Sequence, residues 1–155
     1  GDSLKSLLST LKTSQKALEA LHGKYTPILV KIAPDMDQAE TKMVASALLE
    51  SGMDGVIATN TTLEREAVAG HKHAAEAGGL SGKPVQEGSS RVIAWLKAEL
   101  DGKMPIIGVG GIIDGASAAE KSKVGADLVQ IYSGFIYRGP KLISESNDAI
   151  AAIKA

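Results

Sequence analysis

Four short apolar runs, each followed by a stretch of helical periodicity, constrain this chain more than anything else in it. The runs are residues 27–32, 54–59, 105–109 and 128–132. Helices are predicted over 3–22, over about 38–51, over 87–100, near 115–124 and near 141–154, the first preceding all the strands. Asp37 and Glu40 have capping-box spacing, Asp114 caps the short alanine-rich helix, Asp2 or Ser3 can cap the first helix, and Gly23 and Gly52 sit where helices stop. The inward faces are read as Leu4, Leu7, Leu8, Leu11, Leu18 and Leu21 in the first helix. The second offers Met43, Val44, Ala47 and Leu48, and the third Val92, Ile93, Leu96 and Leu100. Alternating strand and helix gives a parallel sheet with right-handed crossovers, and continuous apolar runs are read as buried strands.

The third and fourth runs end at once in glycine: Pro105-Ile106-Ile107-Gly108-Val109-Gly110-Gly111-Ile112, then Leu128-Val129-Gln130-Ile131-Tyr132-Ser133-Gly134. Glycine at a strand end permits a sharp turn and brings backbone N–H groups close to an anion. A doubly wound sheet would carry phosphate chemistry after its first strand. Placement after the last two strands suits the second half of an eight-fold barrel, which needs roughly 250 residues. The fold expectation for these 155 residues is therefore α/β, half of a (β/α)8 TIM barrel, forming a single partial domain over 1–155. Such a half leaves two open parallel edges, near Val30 and near Ile131. Alone it is expected to be marginal, to pair through those edges, or to need its other half.

Composition removes several function classes. A formal net charge of −1 and 3% aromatic residues offer neither a basic field nor stacking platforms for nucleic acid. No cysteine is present, so there is no disulfide frame, thiolate metal site or thiol nucleophile. No apolar run approaches the roughly 18 residues that would span a bilayer, and no signal-peptide pattern opens the chain. His71 and His73 lack a third ligand at useful spacing, so they read as loop residues and no metal is expected.

Lys31 lies near the end of the first run. It can be an amine of lowered pKa that forms a Schiff base, as in an aldolase, or a fixed charge beside a cofactor. Composition and spacing leave both readings open, together with a lysine that simply reaches solvent. Asn60 and Thr61 follow the second run, where they suit either an imide and carboxylate edge or ordinary turn chemistry. The segment from 63 to 85, with Gly78, Gly79 and Gly82, has the length of a ligand clamp.

KIAPD at 31–35, DGVIATNTT at 54–62, GGLSGKPV at 78–85, IIGVGGI at 106–112 and LVQIYSGFIYRGP at 128–140 resemble the dihydroorotate dehydrogenase family, in its membrane-associated, quinone-using class. The resemblance runs through essentially the whole chain, five motifs in order without gaps. It implies an FMN-dependent (β/α) barrel that oxidises dihydroorotate to orotate in pyrimidine synthesis and passes electrons to a quinone. It also implies that Lys31, Thr59, Gly82, Gly111, Tyr132 and Ser133 contact FMN, with Gly111 and the 132–133 pair around the phosphate. Asn60 and Thr61 are implied to be orotate ligands. The family's catalytic base is a serine in an asparagine-rich motif of the first half, and that motif is not among these residues. The resemblance therefore implies the C-terminal half of such an enzyme, with no catalytic residue of its own and inactive alone. The whole enzyme is implied to sit peripherally on the cytoplasmic side of a membrane, through the N-terminal region. The remaining alternatives are the Schiff-base aldolase and a non-catalytic half barrel that binds phosphate or FMN.

Overall fold

Pairing of the apolar runs builds one four-stranded parallel sheet in the order β1 (Leu29–Ile32), β2 (Gly55–Ala58), β3 (Ile106–Val109), β4 (Leu128–Gln130). The structure is a computed structural model that describes residues 2–155, the side chain of Asp2 excepted. Among the described residues the six α-helices are α1 (Asp2–His22), α2 (Gln38–Glu50), α3 (Gln86–Leu100), α4 (Gly115–Lys123), α5 (Ser133–Arg138) and α6 (Lys141–Lys154). Strand order follows chain order, so β1 and β4 are the two open edges.

Two of the three strand pairs, β1–β2 and β3–β4, are pinned at their N-terminal ends by an aspartate that precedes the later strand. Asp54 accepts from the Ile28 N–H at 2.8 Å, and its own N–H donates to the Ile28 carbonyl. Asp127 repeats the device on Ile106, also at 2.8 Å. Burial pushes the Asp54 carboxyl up, but hydrogen bonds from Tyr25, the Ile28 N–H and Gln15 hold it below the usual carboxylate range. These pins set the register far from the glycine-rich ends and leave the C-terminal ends free to shape a site.

The two faces of the sheet differ. Val56, Ala58 and Ile106 are buried in one core with Leu48, Val92, Ile93, Leu96 and Leu100. Side chains alternate along a strand, so the register puts Lys31, Ile57, Ile107 and Leu128 in one row on the opposite face. Lys31 and Leu128 are exposed there, and Ile57 and Ile107 half-buried. The expectation of strands buried on both sides is thus corrected: helices cover one face only, and the edge strands β1 and β4 are the least buried.

Helix starts follow the capping signals. Asp37 and Glu40 form the full capping box of α2, and Asp114 with Ser117 forms that of α4. Hydrogen bonds from the Ser117 hydroxyl and N–H hold the Asp114 carboxyl below its usual range. α1 already contains Ser3, so Ser3 is not its cap, and the side chain of Asp2 lies outside the described residues.

Several inward assignments change. In α1, Leu8 is fully buried while Leu7, Leu18 and Leu21 are exposed. Gln15 takes an inward place instead, donating to the Thr26 carbonyl and to Asp54. In α2, Met43 is exposed, and the buried stripe runs through Thr41, Ala45 and Leu48. Thr41 is tolerated inside because its hydroxyl donates to the Asp37 carbonyl. The fourth apolar run stops at Gln130, and a six-residue helix begins at Ser133. Six residues are too few to show a helical period.

Candidate functional site

The C-terminal ends of all four strands open into one cleft of about 250 Å³. Lys31, Thr59, Asn60 and Thr61 line it from β1 and β2, Gly111 follows β3, and Tyr132 and Ser133 follow β4. Gly82 enters from the long segment before α3. All eight residues singled out in the sequence thus converge on a single cleft. Val109 and Gln130, paired in register across β3 and β4, line it as well, although the sequence reading gave them no site role. Strict alternation along β4 from Leu128 is the signal that points to Gln130.

At the β3 side the turn is set by packing. Gly111 has φ of 74°, and a Cβ built on it would fall 2.3 Å from Gln86 Cβ and 2.6 Å from Gln86 Cα. Only glycine lets the turn lie this close to the start of α3. Ser89, one helical turn into α3, is fully buried and donates its hydroxyl to the Val109 carbonyl at 2.6 Å. Across the cleft, the Ser133 hydroxyl donates to the Ser81 hydroxyl at 2.9 Å and ties the start of α5 to the segment that carries Gly82. The result is a cradle of backbone turned toward the cleft, suited to an anion.

At the β2 side Thr59 is buried, its N–H donating to the Val109 carbonyl at 2.7 Å and its hydroxyl to the Asn60 carbonyl. The Asn60 N–H donates to the Ile32 carbonyl, and its side-chain oxygen accepts from the Thr61 N–H at 2.8 Å. Turn chemistry and cleft placement therefore hold together for Asn60. Thr61 is packed against Gly79, where a Cβ would meet Thr61 Cβ at 2.5 Å. Asp35 accepts from the Thr62 hydroxyl and from the Leu63 N–H, and Thr62 pairs with Leu80 in an isolated antiparallel bridge. These contacts close the excursion from 62 to 80 at its base. Arg65 staples its interior, donating to the carbonyls of Thr62, Glu64, Glu76 and Gly78. His71 and His73 lie within that excursion and do not line the cleft. Among the described residues no cluster of three or more histidine or carboxylate groups has metal-site geometry.

Parallel strands, helices on one face and a glycine-rich cleft at the C-terminal strand ends define half of a parallel (β/α) barrel. The sequence profile of the dihydroorotate dehydrogenase family matches residues 3–153, and the chain belongs to that family. It is 65% identical over 150 residues to a dihydroorotate dehydrogenase (quinone) of Marinobacter nauticus, covering 97% of this chain and 44% of that one. It is 62% identical over 153 residues to a protein of the same name from Pseudomonas fluorescens, covering 99% of this chain and 45% of that one. A crystal structure of DHODH from Eimeria tenella superposes with a TM-score of 0.88 at 32% identity, over 98% of this chain and 44% of that one. The chain thus spans a little under half the length of these relatives, as half of an eight-stranded barrel would.

Proposed function

We propose that these 155 residues form one partial domain, the C-terminal half of a quinone-linked dihydroorotate dehydrogenase. In this reading the cleft holds FMN beside dihydroorotate. The observation that carries it is the convergence of Lys31, Thr59, Gly82, Gly111, Tyr132 and Ser133, with Asn60 and Thr61, on one cleft. The fit rests on the cradle: Gly111 is turned at φ 74° and packed so closely on Gln86 that no side chain can stand there, and its backbone lines the cleft. When bound, FMN supplies hydride acceptance from the substrate and electron transfer to a quinone.

The chain's own residues divide the work. Gly111, Tyr132 and Ser133 hold the phosphate end, with Gly82 closing over it. Lys31 stands on the uncovered face of the sheet and presents its ammonium to the cofactor ring, where positive charge favours added electrons. Thr59, buried and hydrogen-bonded, fixes the wall of the cleft. Asn60 and Thr61 offer an amide and a hydroxyl to the imide and carboxylate groups of the substrate. Proton removal from dihydroorotate falls to a base outside these residues, in the half of the barrel that completes the sheet. The quinone and a peripheral place on the cytoplasmic side of a membrane belong to the whole protein. Among the described residues no helix is long and apolar enough to cross a membrane.

Titration of FMN into the 15N-labelled chain tests this reading. FMN is expected to shift the amides of Gly110, Gly111 and Ser133, and Lys31→Ala to weaken the affinity about tenfold, the scale of one charge-assisted contact. Borohydride trapping of a carbonyl substrate on Lys31, with no response to FMN, would overturn it in favour of a Schiff-base aldolase.

A further inference from the structure

The largest fully buried side chain is a lysine, Lys121 of α4, and none of the roles above uses it. Its ammonium donates to the Gln86 carbonyl at 2.7 Å and to the Ser90 hydroxyl at 2.8 Å. The neighbouring Glu120 grips the same two residues, accepting from the Gln86 side-chain amide and the Ser90 hydroxyl, each at 2.9 Å. Gln86 is the residue against which Gly111 is packed. A Glu-Lys pair on α4 therefore holds, by backbone and side chain, the residue that forms the rear wall of the cradle.

We infer that Lys121 is a positioning residue for the glycine cradle, fixing Gln86 behind Gly111 and neutralising Glu120 so that a phosphate monoester can bind. The inference rests on the cofactor reading above and deepens it.

A buried lysine is a costly way to brace two helices, since an apolar side chain could fill the volume. The charge is useful because Glu120 is there too. Hydrogen bonds from Gln86 and Ser90, together with the Lys121 charge, hold Glu120 below the usual carboxylate range against the opposing effect of burial, so it is ionised. An uncompensated carboxylate behind an anion cradle would repel the anion, and Lys121 cancels it. On the lysine, burial dominates over the attraction of Glu120 and lowers its pKa to about 8. Glu120 is the ionisable group whose charge acts on it; α3 contributes the uncharged Gln86 and Ser90, and β3 contributes Gly108. Loss of the Lys121 proton weakens the bond to the Gln86 carbonyl and leaves the charge of Glu120 without its opposing cation. Phosphate binding is therefore strongest below the lysine's pKa and declines as pH rises through it.

The test compares FMN with riboflavin, which lacks the phosphate, binding to the cofactor-free whole protein, both halves of the barrel present, between pH 7 and 9.5. The phosphate monoester is a dianion throughout, its second pKa being about 6, and titration of the shared ring cancels in the ratio. The FMN-to-riboflavin affinity ratio is expected to fall about fivefold across this range, the difference between a charge-assisted and a neutral hydrogen bond. In Lys121→Met the ratio is expected to be low and independent of pH. A wild-type ratio that is flat in pH overturns the inference whether or not the variant folds. So does a Lys121→Met protein that loses FMN and riboflavin affinity in parallel, which would mark a plain helix strut. An absence of any preference for FMN over riboflavin at every pH removes the cradle reading itself, and the inference with it.

Discussion

At the β3 end of the cleft, Gly111 lies against Gln86, Ser89 bonds the Val109 carbonyl, and buried Lys121 with half-buried Glu120 holds Gln86 from behind. At the β2 end, Asn60 and Thr61 are exposed and hang from an excursion held at its base by Asp35 and the Thr62–Leu80 bridge. One end is shaped by core packing and the other by a few polar contacts. A backbone cradle must keep its N–H groups fixed to recognise an anion, because a backbone N–H, unlike a side chain, cannot be re-aimed without moving the chain itself. A segment that admits and releases a substrate benefits from contacts weak enough to open.

The comparison breaks most readily at Gly111. Gly111→Ala puts a methyl group where Gln86 already is, at a φ that L-residues avoid. A stability loss of about 2–4 kcal/mol is expected from overpacking and backbone strain together, with FMN binding lost. Urea denaturation alongside FMN titration measures both, and a variant of wild-type stability that still binds FMN would show the cradle to be loose.

Asp35→Ala probes the other end. It removes the acceptor for Thr62 and Leu63, at an expected cost of about 1–2 kcal/mol. Limited proteolysis should then cut faster between 62 and 80 while affinity for FMN stays unchanged. Equal protection of that segment in both proteins would mean that Arg65 and the bridge suffice to hold it.

The smallest effect is expected at Asp114, whose side chain accepts from the Ser117 N–H at 2.8 Å at the start of α4. Asp114→Ala should cost about 1 kcal/mol at pH 7, a typical value for a lost N-cap. The folded carboxyl titrates below its ordinary range. The cap is therefore fully present above the unfolded pKa and lost as pH falls through the lower, folded one. Denaturation at pH 7 and pH 3 should show the gap between wild type and variant narrowing in acid. A constant gap would locate the contribution in packing instead of the ionised cap.

Much of this molecule could be read from the chain because it depends on neighbours in sequence. The alternation of apolar runs and helical stretches dictated a parallel α/β sheet, and Asp37 with Glu40 three residues on dictated a helix start at Gln38. Glycines at two consecutive strand ends dictated where an anion could sit. Family motifs then carried Lys31, Asn60 and Tyr132, which are separated in sequence by up to a hundred residues, to one cleft.

Other features exist only once the chain is folded. Leu7, Leu18 and Leu21 have helical spacing yet stay exposed, since periodicity says which residues share a face and not whether anything covers it. Lys121 reads as one of several charges on a short polar helix. Only the approach of α3 buries it and supplies the Gln86 carbonyl and Ser90 hydroxyl that make the burial tolerable. Asp35 became a loop anchor because the segment from 62 to 80 returns across it. The sequence by itself determined the elements and their order, because turns, caps and periods are short-range. Tertiary structure alone decided which charges are buried and which apolar faces stay open, because burial depends on what another part of the chain brings near.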